Sequence, residues 1–169
     1  MRGAKRAGGK DLLSIDDLSD RDIELVLTTA ARYRDRGVIS KTAGKASAAT
    51  VALYFEQGST RTRLGFSAAA QRIGLGVIDG YDQTSRFATG IETFEDHIRV
   101  LSSYADVIVA RSPISGQLQR IAALTARPVI NGGNGMDEHP TQALADLFTV
   151  RTLFAKRRMS SLTVALSGD

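Results

Sequence analysis

Apolar positions along the chain switch between helical spacing and short continuous runs, and that switching predicts the elements. Residues 14–37 open with the capping residues Ser14 and Ser19 and with acidic side chains. They then carry Ile23, Leu27 and Ala30 at helical spacing and stop at Gly37, which predicts an amphipathic helix. Residues 50–55 (TVALYF) are a short apolar, β-branched and aromatic run, the signature of a buried strand. After a turn at 56–60, Phe66, Ala69, Ala70 and Ile73 mark one face of a second helix that ends at Gly74. Val77 and Ile78 predict a brief strand, and residues 81–91 a polar loop. Residues 92–104 read as a helix, with Thr93 and Asp96 at capping-box spacing and a stripe of Phe94, Ile98 and Leu101. Strands at 107–110, 129–130 and 162–166 alternate with a short helix over 115–124 and a last helix from Pro140 to about residue 155. Residues 132–135 (GGNG) read as a glycine-rich turn.

Strand and helix thus alternate at least four times. The prediction is an α/β fold: a parallel sheet of about four strands flanked by helices on both faces, with right-handed crossovers. Ligands of such sheets bind beyond the carboxyl ends of the strands. Candidate chemistry is therefore sought in the turns that follow strands.

Composition narrows the classes. At 169 residues, 43% hydrophobic and 24% charged, the chain is an ordinary globular sequence with enough length for one substantial core. Cysteine is absent, which removes disulfides and thiolate metal sites and suits a reducing cytoplasm. No apolar run approaches the roughly 20 residues that span a bilayer. Residues 1–10 are basic with no apolar core after them, so they read as a flexible tail rather than a signal peptide. The net charge of +4 suits an anionic small molecule or nucleic acid. The cations are scattered, however, and the aromatics are few and not interleaved with them, so neither a nucleic-acid nor a membrane partner is expected.

Two corners carry chemistry. Ser59, Thr60, Arg61, Thr62 and Arg63 follow a strand and head a helix, where free N–H groups and the helix dipole favour an anion. The hydroxyls add donors, and Arg61 offers a planar fork matched to phosphate. No Walker A pattern is present, and the plain alternative is a capped helix with surface arginines. The second corner, His139-Pro140-Thr141-Gln142, again starts a helix after a glycine-rich turn. There His139 can donate to a carbonyl oxygen and the Gln142 side-chain oxygen can receive an amide; a packed or capping histidine is the alternative. Arg111 ends a strand and can point into the same crevice, or it is an ordinary surface arginine.

Taken together, residues 55–63 (FEQGSTRTR) resemble the phosphate-grip signature of the aspartate and ornithine carbamoyltransferases. Residues 139–146 (HPTQALAD) resemble that family's second signature, in the same order and at a fitting separation. The resemblance implies that Ser59, Thr60, Arg61 and Thr62 hold the phosphate of carbamoyl phosphate. It also implies that Thr62, Arg111 and His139 polarise its carbonyl oxygen and that Gln142 orients its nitrogen. No metal or cofactor is implied. The acceptor is an amino-acid amine, with aspartate, and hence pyrimidine biosynthesis, favoured. A homotrimer with shared sites is implied too, the loop of a neighbouring subunit contributing Ser85 and Arg86.

Three departures accompany the likeness. The stretch 83–93 contains no lysine, where family aspartate enzymes supply one. Two residues separate Glu56 from Ser59, as in ornithine enzymes, whereas 131–139 has the aspartate pattern. Ser112 stands where aspartate enzymes carry histidine. The expected organisation is a tail (1–10), a carbamoyl-phosphate-binding domain (11–155), and a linker with the first strand of a truncated amino-acid-binding domain (156–169). A chain of that kind is expected to be inactive alone. The alternatives are a catalytically silent homologue acting as a binding or assembly module, and an ornithine-type enzyme.

Overall fold

The computed structural model describes residues 10–36, 49–56, 58–79 and 90–165. Four strands, β1 (Thr50–Phe55), β2 (Gly76–Asp79), β3 (Val107–Ser112) and β4 (Val129–Asn134), form one sheet in the order β2-β1-β3-β4. All neighbours run parallel. The helices are α1 (Asp20–Arg36), α2 (Thr60–Arg72), α3 (Phe94–Tyr104), α4 (Gln117–Leu124) and α5 (Pro140–Leu153). The expected fold class is the one observed.

Side chains on β1 alternate between two cores, as a period of two requires. Ala52 and Tyr54 join Ile108, Ala110 and Val129 under Ile98 and Leu101 of α3 and Leu118 and Ile121 of α4. Val51, Leu53 and Phe55 join Val109 on the opposite face, under Ala70 and Phe66 of α2. Burial on both faces explains why β1 reads as a continuous apolar run. Each fully buried large side chain, such as Leu53 or Ile98, contributes about 1.5–3 kcal/mol.

The predicted first helix is two elements. Ser14 caps a 3-10 turn, Ile15–Asp17, with a capping box, and Leu18 is extended (φ −101°, ψ 132°), which breaks the run. Ser19 then accepts from the Asp22 amide at 3.3 Å ahead of α1. Ahead of this turn, Leu12 adds to the sheet edge beside β4: its amide donates to Val129 O at 2.9 Å and its carbonyl accepts from the Asn131 amide at 2.8 Å.

Two further expectations are corrected. The glycines at 132 and 133 belong to β4, which runs on to Asn134. Ala110 pairs with Asn131 and Ser112 with Asn134, so two steps on β3 match three on β4. The extra residue is a bulge that glycine accommodates. The strand expected over 162–166 is not formed at 162–165, where no strand among the described residues partners the segment; residue 166 lies outside the described residues. None of the described helices is long and apolar enough to cross a membrane.

Candidate functional site

Strand order creates the site. The chain leaves β1 towards β2, then returns across β1 to β3, so neighbouring connections part at the carboxyl ends of β1 and β3. A crevice opens at such a switch point. A cavity of about 340 Å³ lies there, lined by Gly58, Ser59, Thr60, Arg61 and Thr62 after β1, Arg111 at the end of β3, and His139 and Gln142 after β4. The phosphate-grip and carbonyl candidates from both corners are thus brought together. Ser85 and Arg86 lie outside the described residues.

Ser59 holds the N-cap position of α2 in an extended conformation but makes no side-chain cap hydrogen bond. The first intrahelical bond runs from the Arg63 amide to Ser59 O at 3.0 Å. Hence the N–H groups of the first turn have no intrahelical acceptor, and they form the positive end of the helix dipole. Arg63 is turned away from the cavity, pairing with Asp79 of β2 at 2.6 and 3.0 Å.

Arg111 is seated against bare backbone. Its Nη1 donates to Gly132 O at 2.9 Å, while its buried Nε has no hydrogen-bond partner among the described residues. Gly133 beneath it has φ +125° and no room for a Cβ.

His139 caps α5, so the capping alternative is correct, and it leaves the functional one intact. Nδ1 accepts from the Gln142 amide at 3.3 Å and lies 3.2 Å from Thr141 Oγ1. An amide can only donate, so Nδ1 is the unprotonated nitrogen and Nε2 carries the proton of the neutral ring. Burial first, and the Arg111 charge second, hold the imidazole below its ordinary range, while Asp146 opposes them. His139 is thus a neutral donor near pH 7.

Three polar residues that sequence reasoning did not single out organise these groups. Glu56, where β1 ends, accepts from Tyr54 Oη at 2.7 Å, Gln117 Nε2 at 3.2 Å and Ser112 Oγ. Its amide donates to Arg111 O at 2.9 Å, tying the two corners. Asn131, fully buried, donates to Leu13 O and accepts from the Gly133 amide, both at 2.7 Å. Asp146 accepts from Gln142 Nε2 at 2.9 Å. The available signal was a polar residue interrupting a buried strand (Asn131) or closing one (Glu56).

A pocket of about 800 Å³, more apolar in its lining, continues from the cavity between α1, α2 and α5, past Phe66, Ala69 and Phe148. This explains why Ala69, expected on the inner face of its helix, is exposed.

Comparison with known proteins agrees with the motifs. The family described as aspartate/ornithine carbamoyltransferase, carbamoyl-P binding domain, matches residues 10–152. An aspartate carbamoyltransferase catalytic subunit from Chromobacterium violaceum is 41% identical, across 95% of this chain and 51% of its own length. One from Picrophilus torridus is 40% identical, across 94% and 51%. Among solved structures, Trypanosoma cruzi aspartate transcarbamoylase in complex with carbamoyl phosphate and aspartate superposes with a TM-score of 0.79 at 31% identity, covering 89% of this chain and 49% of that one. The catalytic subunit from M. jannaschii gives 0.77 at 34%, covering 87% and 48%. The chain spans about half the length of the curated relatives it matches.

Proposed function

Because the chain belongs to the aspartate/ornithine carbamoyltransferase family through its carbamoyl-phosphate-binding domain, we propose that its cavity binds carbamoyl phosphate for transfer of the carbamoyl group to an amino-acid amine. Aspartate is the favoured acceptor, since the relatives named above are aspartate enzymes and one structural neighbour holds carbamoyl phosphate with aspartate. That reaction belongs to pyrimidine biosynthesis.

The observation that carries this reading is the uncapped start of α2 facing Arg111 and His139 across one cavity. The phosphate is held by the N–H groups and hydroxyls of Ser59, Thr60 and Thr62 and by the Arg61 guanidinium. Arg111, Thr62 and His139 Nε2 donate to the carbonyl oxygen, and the Gln142 oxygen accepts from the carbamoyl nitrogen. The acceptor amine forms a C–N bond at the carbonyl carbon, and the negative charge that develops on oxygen meets donors already in place. The bond from carbon to the phosphate oxygen then breaks, phosphate leaves with the electron pair, and the proton lost by the amine passes to the departing phosphate. Catalysis of this kind rests on positioning and oxyanion stabilisation.

Residues 11–155 form the carbamoyl-phosphate-binding domain in this reading, and 156–169 lead towards an amino-acid-binding domain. Assembly as a cytoplasmic homotrimer, with Ser85 and Arg86 reaching a neighbour's cavity, is part of the same proposal; light scattering tests the oligomer.

Calorimetric titration with carbamoyl phosphate and with inorganic phosphate tests the site. Both are expected to bind, and Arg61→Ala is expected to weaken each about tenfold or more, the worth of a charge-assisted contact. Absence of anion binding, or indifference to Arg61→Ala, overturns the reading.

A further inference from the structure

Gln142 and Asp146 stand one turn apart on α5, and Gln142 Nε2 donates to Asp146 Oδ1 at 2.9 Å. A carboxylate only accepts, so it selects the nitrogen end of the amide and leaves the oxygen end turned the other way. Gln142 also lines the cavity, beside His139 and Arg111. We propose that Asp146 is a positioning residue that fixes Gln142 as a hydrogen-bond acceptor for the ligand, so that the site selects an acyl phosphate bearing an NH2 group over one bearing a methyl group.

This rests on the reading of the cavity as an acyl-phosphate site and names what discriminates within that class. Carbamoyl phosphate and acetyl phosphate have nearly the same shape and phosphate group. Only the first presents N–H donors beside the carbonyl. The two ends of a glutamine amide are nearly isosteric, so the side chain alone has no means of presenting oxygen rather than nitrogen. Asp146 supplies the bias. Its charge also opposes the effects of burial and Arg111 on His139, which places it electrostatically within reach of the same wall. A glutamine and an aspartate four residues apart can equally be a plain helix-surface pair, and ligand selectivity separates the two roles.

The 169-residue chain, with Asp146→Leu and Asp146→Lys variants, is titrated with carbamoyl phosphate and acetyl phosphate, and with inorganic phosphate as the reference for the anion grip. Residue 146 is exposed, so both variants are expected to fold, which their unfolding temperatures check. The parent is expected to favour carbamoyl over acetyl phosphate about three- to tenfold, the range of one polar contact. Asp146→Leu lowers that ratio. Asp146→Lys, which pairs with the amide oxygen and turns the nitrogen outward, abolishes or inverts it. Equal ratios in all three proteins, or a parent ratio near one, overturn the proposal. If the parent binds no anion at all, the acyl-phosphate reading falls instead. In that event NMR of the Gln142 side-chain amide still decides the positioning role: its protons exchange faster in Asp146→Leu if Asp146 orders them, and an unchanged rate refutes it.

Discussion

Arg111 and Gly133 leave no space between them: a Cβ built on Gly133 falls 2.7 Å from Arg111 Nη1 and 3.0 Å from Cζ. The glycine also has φ +125°, a region that residues with side chains rarely adopt. Strain and collision therefore act at one position, and both bear on a guanidinium that lines the anion cavity. Gly133→Ala is expected to cost about 1–3 kcal/mol of stability and to weaken anion binding about tenfold or more by displacing Arg111. Urea unfolding and calorimetry measure the two effects. Full affinity in a destabilised variant would show that the seat of Arg111 does not govern binding.

Among the described residues, the Glu56 carboxylate receives three side-chain donors, from Tyr54, Ser112 and Gln117, each of them buried. Glu56→Ala strands those donors, and each buried donor left unpaired costs about 1–3 kcal/mol. Glu56→Gln keeps the acceptor for Tyr54 and Gln117, and its NH2 can donate to the Ser112 hydroxyl. The expected order of stability in urea is parent, then Gln, then Ala, with Ala at least about 2 kcal/mol below the parent. An Ala variant as stable as the Gln variant would contradict the network.

Asn131 ties the amino-terminal segment to the glycine bulge through Leu13 O and the Gly133 amide. Asn131→Ala is expected to lower stability by about 1–3 kcal/mol. It is also expected to speed hydrogen exchange at the Leu12 amide, which is bonded to Val129 O at the sheet edge. Exchange at Ile98, within α3, is expected to follow only the global loss. Mass spectrometry of the exchanged protein reads both.

β1 was legible because nothing in it competes: from Val51 to Phe55 every side chain is buried, so composition and burial carry the same message. The helix starts at the two motif corners were legible from local signals, a serine in extended conformation before Thr60 and a proline at the first turn after His139. Gly132 and Gly133 were misread as a turn because their reason, a bulge under Arg111, comes from a partner strand. Glu56 and Asn131 were unreadable for a related cause: Glu56 meets Ser112 across 56 positions and Asn131 meets Leu13 across 118. Residues 162–165 carry the pattern of a strand, but a strand without a partner does not form.

His139 sets a pH dependence. In the unfolded chain its imidazole titrates near 6.5, and in the fold burial and the Arg111 charge lower that value. Between the two values the unfolded state binds more protons, so stability rises with pH across that interval. The contribution is complete above about 6.5 and is lost as pH falls through the folded value. The lowered carboxyls of Asp22, Glu24 and Glu95 act in a separate range, because their ordinary values are 3.8 to 4.5. NMR titration of the two imidazoles, assigned with a His97→Gln variant, is expected to give a His139 midpoint below 6.5. Inorganic phosphate is expected to move it upward, since an anion in the cavity favours the charged ring. His139→Gln removes its share of the stability change between pH 5 and 7. A His139 midpoint at or above 6.5 in the free chain would mean the ring is charged near that pH, and a neutral Nε2–H donor would then be the wrong description of this wall of the cavity.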